Sequence, residues 1–91
     1  MVKILKLIWD TGNKAHIARH SVAPDDVIDV CYSRHITLKG KEGRIMVIGP
    51  AKTGRMLVVI LAEKLEKHTY YVVTARSADK KERMLYTNVY E

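Results

Sequence analysis

The chain has one cysteine, two prolines, five glycines and no phenylalanine among its 91 residues. A single thiol excludes an internal disulfide and fits a reducing compartment. Cys31 follows Val27 and Val30 at helical spacing, so it reads as buried filler rather than as a nucleophile. With no Phe, and the one Trp (Trp9) inside an apolar run, an aromatic platform for stacking single-stranded bases is not expected. Of Tyr70 and Tyr71 only one can be exposed, because neighbours in a strand point to opposite faces. The longest apolar run, Met56 to Ala62, is far too short to cross a bilayer. The first residues lack the charged region, continuous apolar stretch and small-residue cleavage site of a signal peptide, so a soluble, cytoplasmic chain with no membrane partner is expected. There is no phosphate-binding glycine loop, no Ser-His-Asp order with a supporting elbow and no paired-carboxylate site.

Positive charge is abundant: the formal net charge is +6. Between residues 34 and 55, Arg34, Lys39, Lys41, Arg44, Lys52 and Arg55 face only Glu42, whereas Asp25, Asp26 and Asp29 form an acidic knot. This asymmetry predicts a polyanionic partner, with nucleic acid ahead of membrane because no segment pairs a basic face with a strongly apolar one. Arg34, Lys39, Lys41, Arg44, Lys52, Arg55 and, further on, Lys80 are the candidate RNA contacts.

The size suits one small domain spanning residues 1–91. Lys3 to Trp9 is rich in Ile and Leu and reads as a short strand. Asp10 should cap a helix running to about Arg19 by accepting the N–H of Asn13 or its neighbour. Pro24 suits the first turn of a second helix, Asp25 and Asp26 favour its positive end, and Val22 and Val27 have the spacing of a hydrophobic staple. His35–Leu38, Arg44–Ile48, Arg55–Ala62 and Tyr70–Thr74 read as a meander, with turns at 39–43 and 49–54. A final basic helix has Asp79 and Glu82 at the spacing of a reciprocal capping box, with Leu85 and Val89 expected to be buried and Arg83, Tyr86 and Tyr90 on an adjoining face. We summarise the pattern as β-α-α-β-β-β-α: an α+β domain, a twisted antiparallel sheet with helices on one side. Its open edge, expected at Arg34–Leu38, could accept a partner's backbone.

The chemistry-bearing residues cluster at helix ends. Arg76 falls where a strand end should meet a helix N-terminus, a combination of fixed cation and free N–H groups that suits phosphate. His16 and His20 have the i, i+4 spacing of a metal pair, but no carboxylate or further Cys supplies other ligands, so neither a metal nor another cofactor is expected. One histidine should pack and His20, at the helix end, should be partly exposed beside Arg19. Metal-free RNA cleavage needs a base for the 2′-OH proton, cations for the developing phosphorane charge and an acid for the leaving 5′-oxygen. His20, Arg19, Arg76, Arg83 and Tyr86 are the candidate catalytic residues.

The order of several motifs adds a resemblance. Trp9-Asp10 followed by Asn13, Ala18-Arg19-His20 and the Ser21-Val22 break, then Glu42-Gly43-Arg44, Ile48-Gly49, Gly54–Val59 and Ala75-Arg76 through Lys81-Glu82-Arg83 to Tyr86, resembles BrnT-type toxins over nearly the whole chain. The resemblance implies a compact RelE-like fold and a ribonuclease activity that arrests translation. It also implies an antitoxin encoded alongside, a ribbon-helix-helix DNA-binding protein whose complex represses its own operon. By motif match His20 takes the place of the helix-terminal His and Arg76 that of the Arg after the last strand. The sequence departs at Ile8, where many members have Glu, at Ser21 for Gly, at Ser77 for Pro, and at Met84-Leu85 within an Arg run. The leading reading is therefore a metal-independent endoribonuclease toxin. The alternatives are a basic RNA-binding module without turnover and a degenerate member serving protein interaction.

Overall fold

The computed structural model describes residues 2–90. Its elements are β1 (Lys6–Ile8), α1 (Thr11–Ala18), α2 (Pro24–Tyr32), β2 (Ile36–Lys39), β3 (Arg44–Pro50), β4 (Met56–Glu63), β5 (Thr69–Ser77) and α3 (Lys80–Tyr90). The α+β class stands, with one strand more than the summed pattern allows. The sheet has the order β1-β5-β4-β3-β2. After β1, the two helices carry the chain across the sheet to its far edge, and β2 to β5 then meander back one position at a time. That route returns β5 alongside β1 in the same direction, Leu7 opposite Tyr70, so the sheet is mixed rather than antiparallel throughout.

Local chemistry sets the helix ends. Asp10 accepts the N–H of Asn13 at 2.7 Å, and the Asn13 side chain accepts the N–H of Asp10 at 2.9 Å. Asn13 also donates to the carbonyl of Ile8, tying β1 to α1 and satisfying a polar side chain that is otherwise buried. Past Ala18 the N–H of Val22 reaches the carbonyl of Ile17 and that of Ser21 the carbonyl of Ala18, the paired bonds of a Schellman ending. Ser21 supplies the left-handed residue, at φ 58°, which is why glycine suits this position. Ala23 offers no side-chain cap, but Asp26 reaches back to accept its N–H.

Two apolar cores lie on opposite faces of the sheet. Val27, Val30 and Cys31 of α2, and Ile17 of α1, pack against Val47, Leu57, Val59, Leu61 and Val72. Burial pushes the Cys31 thiol up to about 12, in keeping with filler. On the other face Ile48 and Val58 meet Ala78, just before α3, and Tyr86 of α3. The expectation of helices on one side is thus corrected: the sheet has apolar side chains on both faces of β3 and β4, and α3 covers the second. Within α3 the buried residue is Tyr86, while Leu85 and Val89 are 40% and 62% exposed. On the same stripe Glu82 is half-buried and Tyr90, 37% exposed, lies against Tyr86 with the ring centres 5.0 Å apart.

Candidate functional site

One end of the sheet gathers the β3–β4 loop, the end of β5 and the turn after α1. Its organiser is Arg55, just before β4. The Arg55 guanidinium donates to the carbonyls of His20 and Ser21 and, through Nε and Nη2, to the Ser77 hydroxyl. One planar fork thereby joins segments 22 and 35 residues apart. It also satisfies carbonyls at the α1 terminus that the helix cannot satisfy itself. Arg55, expected to contact RNA, has its guanidinium engaged as a tie within the chain. Nothing in its sequence setting signals this, because its partners are two backbone carbonyls and a distant serine.

Ser77 pairs with Leu57 and therefore projects to the α1/α2 face; Arg76 pairs with Val58 and projects to the α3 face. His20 and Arg76 accordingly flank the same end of the sheet from opposite faces, with Ser77 between them. His16 and His20 are both exposed, their rings 6.0 Å apart, so neither imidazole packs in the core. Arg19 is exposed beside them. Among the described residues no cluster of three or more metal-ligating side chains exists.

Arg76 differs from expectation. β5 continues through it to Ser77, and its fork is filled: Nη1 and Nη2 each donate to one oxygen of Glu82 at 2.8 Å. Glu82 also accepts the N–H of Asp79, while Asp79 accepts the N–H of Glu82, which completes the expected capping box. The anion held at the α3 start is therefore the chain's own carboxylate. The two hydrogen bonds from Arg76, more than any other cause, hold Glu82 below the usual carboxylate value, and the same contact raises Arg76. Spacing revealed Glu82 as a cap; its bond to a residue six positions earlier needed the fold. Arg83 donates to the carbonyl of Ala78, Lys80 is exposed, and Tyr86 is buried against the sheet with its ring among apolar side chains.

The basic stretch 34–55 is divided. Arg44 pairs with Ala62 and Pro50 with Met56, so the Lys39, Lys41 and Arg44 group lies at the far end of the sheet from Lys52 and Arg55, about 20 Å away at strand rise. Lys52 sits 3.9 Å from Asp29 of α2. Arg34 belongs to the first end, held close because Gly49 lets the Arg34–His35 backbone cross it: a Cβ at 49 would meet the Arg34 carbonyl at 2.9 Å. The Arg34 guanidinium lies 5.2 Å from the centre of the Tyr90 ring. Arg34, His20, Arg19, Arg76, Lys80 and Lys52 thus border one end, and the hairpin cations form a separate patch. A further polar contact, which spacing could not reveal, joins Tyr71 to Asp10: the phenol donates at 3.0 Å, lowering Asp10 after the larger effect of the Asn13 N–H.

No helix of the described residues is long and apolar enough to cross a membrane. No protein-family model and no curated protein matches the chain. Among solved structures its fold is similar to that of the crystal structure of the Brucella abortus ribonuclease toxin BrnT, with a TM-score of 0.65 and 24% sequence identity, covering 84% of this chain and 99% of that chain. The five-stranded mixed sheet with three helices is therefore a BrnT fold.

Proposed function

We propose that this chain is the toxin of a type II toxin–antitoxin pair, a cytoplasmic, metal-independent endoribonuclease that arrests translation. The observation that carries the reading is the fold shared with a ribonuclease toxin, matched along nearly all of that protein. The cation-bordered end of the sheet supports it. There His20 is exposed at the end of α1, with its backbone pinned by Arg55, and Arg19, Arg34, Lys52 and Lys80 are positioned to attract phosphate. In this reading His20 moves the proton of the 2′-OH or of the leaving 5′-oxygen, and the surrounding cations, Arg76 and Arg83 included, stabilise the phosphorane. Tyr86 supports α3 from within the core. The partner is a ribbon-helix-helix antitoxin, and Lys39, Lys41 and Arg44 extend the RNA contact or serve that partner.

One observation favours the second reading, a binding module without turnover: the Arg76 fork is already filled by Glu82. RNA phosphate must displace that carboxylate before Arg76 can clamp it. Purified protein with RNA in EDTA separates the readings. Cleavage by the wild type that falls by roughly 10²-fold in His20→Ala, with RNA binding kept, supports the enzyme. Arg76→Lys should impair cleavage as well, since it keeps charge and loses the bidentate fork. Binding without cleavage supports the module, and full activity in both variants removes the assigned site.

A further inference from the structure

Helix α1 buries Asn13 and Ile17 and leaves its outer side to solvent. His16 and His20 are both exposed on that outer side, one turn apart at i, i+4. The helix proper ends at Ala18, yet Arg19 keeps right-handed helical angles, so the stripe runs on to His20. The His20 backbone is held from two directions. Its N–H bonds to the carbonyl of Ile17 at 3.0 Å, and its carbonyl accepts from Arg55 at 2.7 Å. The two imidazoles are thereby kept together, with ring centres 6.0 Å apart and planes tilted by 44°.

The other two histidines are placed differently. Nδ1 of His35 donates to the carbonyls of Val30 and Ser33 at 3.0 and 2.9 Å, which commits that ring to the end of α2. His68 lies just before β5, at the far end of the sheet from His20. Among the described residues the rings of His16 and His20 make no hydrogen bond or ion pair. Two nitrogens bound to one metal at about 2.0–2.1 Å set their ring centres roughly 5 Å apart, so the exposed side chains need turn by only about an ångström from 6.0 Å. Imidazole suits the borderline ions Zn²⁺, Ni²⁺ and Cu²⁺, whereas Mg²⁺ and Ca²⁺ require oxygen ligands. Among the described residues no third metal-ligating side chain joins the pair. Arg19, exposed three positions from His16, opposes a cation, while the fixed spacing of the two rings favours it.

We propose that His16 and His20 form an exposed chelate for a borderline divalent metal such as Zn²⁺, and that its binding inhibits the site His20 serves. Two protein ligands leave the other positions of the metal to water, so it exchanges freely and is not a resident cofactor. The lone pair that binds the metal is the one that would take a proton. A coordinated His20 can therefore neither accept the 2′-OH proton nor hold one for the leaving oxygen on that nitrogen. Cleavage itself stays metal-independent, because the metal removes a group and supplies none. The chelate rests on α1 and its tie to Arg55; only the inhibition rests on the ribonuclease reading.

The test uses the full chain, ¹⁵N-labelled, with zinc chloride near neutral pH. Zinc should shift the ring signals of His16 and His20 and the amides of residues 16–20, and leave His35 and His68 in place; magnesium chloride should shift none of them. His16→Ala and His20→Ala should each weaken zinc binding at least about tenfold, because the second imidazole of a chelate binds within one molecule. Alanine at an exposed helical position favours α1, so both variants keep the fold. With zinc at about ten times its dissociation constant, RNA cleavage by the wild type should fall about tenfold and return with EDTA. His16→Ala should cleave as the wild type does without metal, and resist zinc. Zinc affinity unchanged in either variant, shifts confined to His35 or His68, an equal response to magnesium, or zinc that joins two chains overturns the proposal. Wild-type cleavage untouched or stimulated by bound zinc overturns the inhibition. Zinc held by the pair in a chain that cleaves no RNA, even in EDTA, strikes the ribonuclease reading alone and leaves the chelate standing.

Discussion

The two faces of the sheet differ in how completely they are sealed. Beneath α1 and α2, Val47, Leu57, Val59, Leu61 and Val72 have no exposure at all. Beneath α3 only Ile48, Val58, Ala78 and Tyr86 are buried, and Ile36, Met46, Met56 and Ile60 remain partly open. Both faces are apolar, so the difference lies in coverage rather than in the sheet's own sequence. Two helices fill one face, while a single helix, aimed by one tyrosine and one ion pair, covers the other. The first face is therefore the more completely buried, and the second leaves apolar surface exposed. The candidate chemistry lies where the faces meet, with His20 on the sealed side and Arg76 on the open side.

The comparison would break most readily at the core. Leu61→Ala removes a fully buried side chain from the sealed face and should cost about 2–5 kcal/mol in urea unfolding. Ile60→Ala, one residue away on the open face, should cost less, roughly 1–2 kcal/mol, because its side chain is already partly hydrated. Equal losses at 60 and 61 would mean that the faces contribute alike. The next effect is smaller. Arg55→Ala removes the bonds that hold the His20–Ser21 carbonyls to Ser77, at roughly 1–2 kcal/mol, since the freed carbonyls can turn to water. Arg55→Lys should recover little of this, having no fork, and hydrogen exchange should quicken at residues 19–22 before it does in β4.

On the open side the tie is electrostatic and weaker. The Arg76 side chain is 39% exposed and that of Glu82 12%, so solvent screening holds the pair to about 1 kcal/mol or less. Its pH dependence has a definite sign. Glu82 is depressed in the folded state below its ordinary 4.5, so its contribution is full above that value and fades as pH falls through the depressed one. Wild type and Glu82→Gln should therefore differ at pH 7 and converge in acid. A difference that grew on acidification would show that the carboxylate does not stabilise α3.

Much of this was legible because it is local. The Asp10–Asn13 and Asp79–Glu82 caps, Pro24 in the first turn, the Val22/Val27 pair and the burial of Cys31 each depend on residues within five positions. The open edge at β2 followed from the meander. The parallel pairing of β1 with β5 did not, because it depends on where two helices carry the chain. The site was legible in residue type but not in arrangement. Arg55 and Arg76 read as free cations, and their partners, Ser77 with two carbonyls and Glu82, are fixed only by the fold. The burial of α3 was misassigned for a related reason: an i, i+4 pair of aliphatics is the usual core stripe, and here the single ring of Tyr86 displaced it.

That displacement yields the smallest expected effect. Leu85 stands on a flank of α3 away from the buried Tyr86 and is 40% exposed, so Leu85→Glu should change the stability of the isolated chain by no more than about 0.5 kcal/mol. Helix propensity argues the same way, since Leu and Glu are nearly equivalent in a helix interior. Two opposing terms remain: loss of partial apolar burial, and better solvation of a surface that otherwise leaves an aliphatic side chain in water. A cost of 2 kcal/mol or more would place Leu85 in a core that extends further over the second face, and the contrast between the faces would fail. A near-zero cost would show that this flank of α3 lies outside the core of the second face.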